Sequence, residues 1–419
     1  MPNPWTLVGA TLPDGTRADL HLADGLLVDS APAGATRVDA DGLVALPGLV
    51  DLHTHLREPG QEAAETIATG TAAAARGGFT AVYAMANTTP TTDSAERVQQ
   101  MRALAEGAST EVVVIGSVTR GLAGQELSSI AEMGAAGVTV FSDDGFSVPS
   151  AGLVRAAMEQ MLPFDGVLAE HCQDQTLAGP SACCHEGTVS SDLALDGWPS
   201  IAESVVIARD VQIAAYLGAR LHVCHVSTAE GVDVLRWAKA RGVRVTAEVM
   251  PHHLLLTVDE LRSGDTTYKV NPPLRPAEDV EAVRAALVDG TIDIVATDHA
   301  PHRAEDKAKP FPQAKPGMIA IEQALSTVVE TLVKPGRLGW AEVAQKMSHA
   351  PARIGGLAHQ GRPLAVGEPA NLVLVDPSRR SVVDREASLS KGRNNPYHGR
   401  DLPDPVVATW WRGRQTWRA

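Results

Sequence analysis

Apolar, β-branched runs that end in polar or ionisable residues recur along the chain at residues 43–55, 80–87, 112–119, 137–145, 166–172, 220–227, 244–253 and 292–302. Stretches with helical character separate them. Residues 66–76 are rich in Ala and Gly, 204–217 carry apolar positions at helical spacing, and 279–287 alternate acids with Ala, Val and Leu. Eight strand–helix units in succession predict an α/β fold, a closed parallel (β/α)8 barrel of the TIM type. In such barrels the chemistry gathers at the C-terminal rim, where strands meet the loops that follow them. Nearly every histidine and carboxylate of interest here stands at the end of one of these runs.

The ends of the chain follow a different pattern. Residues 1–44 alternate apolar and polar positions around the turn signals Pro13-Asp14-Gly15 and Ala23-Asp24-Gly25, which predicts small antiparallel strands. The tail from residue 362 contains Asn371-Leu372-Val373-Leu374-Val375-Asp376 and Val406-Val407-Ala408-Thr409-Trp410, also strand-like. Neither end is large enough to bury a core of its own. Residues 1–44 and 362–419 are therefore expected to form one small discontinuous β-domain, a β-sandwich, beside a barrel of residues 45–361. Residues 178–195 and 304–316 lack periodicity and contain Gly, Pro and charge, which marks them as loops over the rim.

Composition narrows the function. The 419 residues are 44% hydrophobic, enough for a substantial core, and only 4% aromatic, so packing rests on aliphatic side chains. A formal net charge of -14 argues against sequence-independent binding to nucleic acid or anionic membrane, and no apolar run reaches bilayer length. Without a basic segment followed by an apolar stretch at the N-terminus, a cytoplasmic location is the default expectation. Cys172, Cys183, Cys184 and Cys224 are too few and too unevenly spaced for a secreted disulfide framework and read as reduced, structural thiols.

The first run ends in Asp51-Leu52-His53-Thr54-His55-Leu56-Arg57-Glu58-Pro59-Gly60. Residues i and i+2 of a strand face the same way, so His53 and His55 can converge on one metal ion or stand together on a solvated face. The other strand ends decide what the pair means. They offer Asp143-Asp144, His171, His225 and Asp298, so that His53, His55, Asp144, His171, His225 and Asp298 supply six ligands at one rim, enough for one ion or a bridged pair. Such a site suits hydrolysis, with Asp298 as the carboxylate that accepts a proton from water and returns it to a leaving nitrogen. Arg57 beside it can hold an anionic substrate group. His222, His252, His253 and His299 read as packing and orienting residues instead.

These motifs, together with Ala86-Asn87-Thr88, Asn271-Pro272-Pro273-Leu274-Arg275 and Ala296-Thr297-Asp298-His299-Ala300-Pro301-His302, resemble the type I class of dihydroorotases in the amidohydrolase superfamily. The resemblance runs from about residue 43 into the C-terminal β-segment. It implies a zinc enzyme, with one or two Zn2+ per subunit, that interconverts N-carbamoyl-L-aspartate and L-dihydroorotate in de novo pyrimidine synthesis. It assigns His53, His55 and Asp298 to one metal, His171 and His225 to a second, and Asp144 to the bridge, leaving Asp143 to point away. It places Arg57, Asn87 and His302 on the substrate carboxylate, Asn271 on the pyrimidine ring, and backbone groups near Pro316-Gly317 on the substrate, with His55 also at the substrate side. Hydroxide on the metal would attack the ring amide carbonyl, with Asp298 shuttling the proton. A homodimer and an association with aspartate carbamoyltransferase are further family expectations.

Two alternatives stand beside this reading. Dihydropyrimidinases, hydantoinases and allantoinases share the motif style but bridge their metals with a carboxylated lysine at the end of strand four, where this chain has Asp143-Asp144 and no lysine. A non-catalytic dihydroorotase-like partner of aspartate carbamoyltransferase would lack metal ligands, and this chain keeps each matched position.

Overall fold

The computed structural model describes residues 3–419, so residues 1 and 2 of the expected N-terminal segment lie outside the described residues. Eight parallel strands build the barrel: Leu49–Thr54, Phe79–Ala84, Glu111–Val114, Val140–Phe141, Val167–Glu170, Arg220–Val223, Val245–Val249 and Ile294–Val295. Bridges between Gly116 and Phe141 and between Thr54 and His299 join the two arcs and close the ring. Each of the eight apolar runs contributes one barrel strand. The fourth and eighth are only two residues long because the chain leaves the ladder to turn Asp144 and Asp298 inward. At Asp298 it does so with a left-handed φ of 43°.

Side chains alternate across the barrel wall as strand geometry requires. Val50, Leu52, Ala81, Tyr83, Val140 and Ala169 fill the interior, while Val82, Phe141 and Leu168 meet the outer helices. Small interior residues keep the barrel tightly filled despite the scarcity of aromatics. The helix Ile67–Arg76 starts where Thr66 and Thr69 cap each other reciprocally, and Ile201–Leu217 and Ala277–Asp289 occupy the other helical stretches expected.

The two chain ends meet in one eight-stranded sheet, with a core that includes Leu7, Leu22, Leu372 and Trp410. Two details differ from the sequence expectation. Thr36–Asp39 runs parallel to Trp5–Thr11, because the intervening hairpin returns the chain in the same direction. The first apolar run serves both sheets: Val44–Pro47 pairs antiparallel with Leu372–Val375, and Leu49–Thr54 enters the barrel. The expected boundary at residue 44 thus falls at the start of an end-sheet strand that continues to Pro47. Gly48 makes the switch where an added Cβ would lie 2.3 Å from the Thr80 side chain, so no larger residue fits.

The tail also returns to the barrel rim. Ser390 donates to Glu65, and the Asn394 side chain bonds Ala300 O at 2.9 Å and Gly317 O at 3.0 Å. Residues 388–395 therefore support the site although they lie within the segment expected to belong to the end domain. Among the described residues no helix is long and apolar enough to cross a membrane.

Candidate active site

The strand ends bring the six expected ligands together. Oδ1 of Asp144 lies 3.3 Å from His53 Nε2, 3.4 Å from His171 Nδ1 and 3.3 Å from His225 Nε2, while its Oδ2 lies 3.3 Å from His55 Nε2. Asp298 Oδ1 stands 3.5 Å from His53 Nε2 and 2.9 Å from His55 Nε2. Potential ligand atoms of His53, His55, Asp144 and Asp298 form one group within 4.8 Å, and those of Asp144, His171 and His225 form a second. Asp144 belongs to both, as a bridging carboxylate must.

The donor set fits a metal by geometry. A tetrahedron with metal–ligand arms of about 2.0–2.2 Å has edges of roughly 3.3–3.6 Å, the spacing that separates Asp144 from all four imidazoles. His53 Nε2 and His171 Nδ1 are buried without a hydrogen-bond partner, although buried ring nitrogens are normally satisfied. Both face Asp144. Burial pushes the Asp144 carboxyl up, but His53 and the other imidazoles outweigh it and hold the group well below the ordinary carboxylate range.

Three of the four imidazoles are fixed from behind. Glu248, wholly buried on the seventh strand, accepts from His53 Nδ1 at 2.7 Å and from His222 Nε2 at 3.0 Å, which orients the His53 ring and aims its Nε2 at the cluster. Burial raises this carboxyl, and His53 and His222 pull it back below its usual value. Asn87 Oδ1 accepts from His55 Nδ1 at 3.0 Å and its amide donates to Asp144 O at 3.2 Å; Gln173 Oε1 accepts from His171 Nε2 at 2.8 Å. Asp143 points away and accepts from the backbone N–H groups of Val118 and Thr119, pinning the fourth strand to the loop after the third. Arg57, His225 and Asp298 all hold left-handed backbone angles, φ 63°, 34° and 43°. Such strain at non-glycine residues persists where the surroundings over-determine it, typically at a working site.

A cavity of about 210 Å³ opens beside the cluster. His55, Arg57, Asn87, Asn271, His302, Pro316 and Gly317 all line it, together with Asp144, His171 and Asp298. The buried Arg57 guanidinium donates its Nε to Pro301 O at 3.1 Å, leaving the terminal nitrogens for a ligand. His302 Nε2 donates to Pro316 O at 2.7 Å, and burial, with Arg57 nearby, pushes this imidazole down to about 3, so it is neutral at physiological pH. Asn271 Oδ1 is buried without a partner. An added Cβ at Gly317 would sit 2.7 Å from His302 Nε2, and φ there is 141°, so only glycine brings the backbone this close.

Against the sequence expectations, one loop assignment changes. Residues 304–316 reach the cavity through Lys315 and Pro316, but 178–195 do not line it. They fold into the strand Cys184–His185 and helix Thr188–Asp192, whose Cys183, Cys184 and Val189 pack with Leu256, Val258 and Leu261. The reason is apolar burial that the segment's Gly and charged residues obscure. All four cysteines are free and buried, as expected. Glu248 and Lys315 were not foreseen; a single acid inside the apolar run 244–253 was the available signal for the former.

Comparison with known proteins bears on identity. Residues 42–231 match the family model described as dihydro-orotase-like. A dihydroorotase of Leifsonia xyli subsp. xyli is 54% identical over 98% of this chain and 95% of its own length, and one of Streptomyces coelicolor is 53% identical over 97% of each. This chain belongs to the dihydroorotase family. It is accordingly an enzyme, a cyclic amidohydrolase of pyrimidine biosynthesis, as the motifs led one to expect. The fold extends more widely: an L-hydantoinase from Arthrobacter aurescens superposes with a TM-score of 0.88 at 26% identity, covering 99% of this chain and 96% of its own. The dihydroorotases are about twice as similar in sequence, and the end of strand four carries the aspartate pair in place of a lysine.

Proposed function

We propose that the cluster is a zinc centre, that the cavity beside it takes dihydroorotate and N-carbamoyl-L-aspartate, and that the six ligands and seven cavity residues have the roles the family resemblance implies. One observation carries the reading: two ligand groups share Asp144 and open onto a cavity that Arg57 also lines. His53, His55 and Asp298 would hold one ion, His171 and His225 another, with Asp144 common to both. Bound zinc would supply a water whose pKa falls from 15.7 to about 7 and would polarise the ring carbonyl.

The protein residues supply the rest. Arg57 is a buried fixed cation and pairs with the substrate carboxylate, a bond worth about twice a neutral one. His302, held neutral by burial and tied to Pro316, adds a polar wall beside Arg57 without adding charge. Asn271 Oδ1, lacking any protein partner, accepts a ring N–H. Asn87 lines the cavity, but its carbonyl is engaged by His55, so it orients that ligand as well as facing substrate. Asp298 Oδ1 sits between His53 and His55 and at the cavity wall, where it can take a proton from attacking water and deliver it to the departing ring nitrogen. Ring closure runs the same proton path backwards.

Homodimerisation, a cytoplasmic location and association with aspartate carbamoyltransferase rest on family resemblance and sequence character. The non-catalytic alternative is disfavoured because all six ligand side chains converge. The test is turnover by metal-stripped and zinc-restored protein on dihydroorotate and on dihydrouracil, which lacks the carboxylate. Zinc-dependent hydrolysis with strong preference for dihydroorotate is expected; equal rates on the two rings would overturn the role given to Arg57.

A further inference from the structure

The segment Lys315-Pro316-Gly317 carries no regular structure, yet it lines the cavity at a fixed place. Beside Asn394, which holds the Gly317 carbonyl, its anchor is a buried side chain that does not line the cavity. Lys307, 8% exposed at the end of the helix Ala304–Lys307, donates from its ammonium to Lys315 O at 2.9 Å, Lys269 O at 3.1 Å and Gly317 O at 3.2 Å. An ammonium has three protons, and here all three meet backbone carbonyls. The Gly317 amide donates to the same Lys269 carbonyl at 2.9 Å. Lys269 lies two residues before Asn271, so one cation ties the segment bearing Asn271 to the segment bearing Pro316 and Gly317.

We infer that Lys307 is a positioning residue for substrate binding: its three-way bond sets the distance between the Asn271 and Pro316-Gly317 walls of the cavity, and through Pro316 O the seat of His302. Burying an ammonium costs heavily unless its protons are satisfied, and here all three are satisfied at a loop outside any helix or strand. Lys307 thus acts on substrate through the backbone it holds. Burial, with the Lys269 ammonium nearby, draws the amine down to about 7, while the three carbonyls it bonds favour its charged form. The inference rests on the cavity being the substrate site.

The experiment compares Lys307→Met with Arg57→Met in the zinc-loaded full chain, reading KM and kcat for dihydroorotate, the melting temperature, and amide hydrogen exchange across residues 315–318. A misplaced binding wall costs about 10- to 100-fold in binding, so Lys307→Met should raise KM by that factor with kcat within about threefold, and should speed exchange at Gly317. If the Met variant does not fold, Lys307→Gln, which keeps a two-hydrogen donor, takes its place. An unchanged KM in Lys307→Met alongside a raised KM in Arg57→Met overturns this inference alone. An unchanged KM in both overturns the cavity assignment as well. A fall in melting temperature and kcat with KM unmoved reduces Lys307 to a purely structural residue and refutes the inference.

Discussion

Replacing Glu248 by Gln tests how far the ligand set depends on a residue that touches no substrate. In the native protein its two oxygens accept from His53 Nδ1 at 2.7 Å and His222 Nε2 at 3.0 Å in a fully buried setting. Two charge-assisted bonds are worth roughly 1.5–3 kcal/mol each. The amide keeps one neutral acceptor, worth about 1 kcal/mol, and turns an N–H against the other imidazole N–H. Part of this loss is common to the metal-free and metal-loaded protein. The part that bears on zinc is the loss of His53 basicity and orientation, which for such supporting carboxylates amounts to about 10- to 100-fold in metal affinity. That corresponds to about 1.4–2.8 kcal/mol. Zinc transfer to a chromophoric chelator, measured on folded protein checked by circular dichroism, reads the affinity directly. Zinc held by Glu248→Gln within about threefold of the native value would refute the claim that Glu248 prepares His53 for the metal.

Other substitutions separate the remaining roles. Asp298→Asn should lower kcat by about 10²- to 10⁴-fold, the usual worth of a positioned acid–base group, in a steady-state assay normalised to zinc content. Arg57→Met should raise KM for dihydroorotate on the order of 30- to 160-fold, the loss of a charge-assisted bond of about 2–3 kcal/mol, without releasing zinc. Because the folded-state pKa of His302 is lowered to about 3, the unfolded chain binds its proton first as pH falls, so this residue withdraws stability from about pH 6.5 downward. The melting temperature of His302→Gln should therefore decline less steeply than that of the native protein between pH 6.5 and 4; parallel declines would contradict the burial of a neutral imidazole.

The barrel and the ligand set were legible because each strand ends an apolar run with a chemically distinctive residue, and period-2 alternation tells which side chains converge. Asp144, His171 and Asp298 follow that rule from the interior Val140, Ala169 and Ile294, while His53, His55 and His225 turn inward only past the first strand's register shift and at a left-handed φ. Glu248 follows it too, yet one acid in an apolar strand looks the same whether it meets solvent or a buried imidazole. Only the register that sets Val245–Val249 beside Arg220–Val223 and Ile294–Val295 shows its partners. Lys307 and Asn394 were illegible for a related reason: their bonds are to backbone carbonyls remote in sequence, and carbonyls leave no signature in the residue string. The segment 178–195 was misplaced because its Gly, Pro and charge content hid the apolar residues that dock it away from the rim.

Anomalous diffraction at the zinc absorption edge, from crystals grown with excess zinc, addresses the central claim most directly. The account predicts anomalous peaks inside the cluster, contacted by His53, His55 and Asp298 on one side of Asp144 and, where a second ion binds, by His171 and His225 on the other. Absence of any peak there, or zinc bound only elsewhere on the chain, would contradict it.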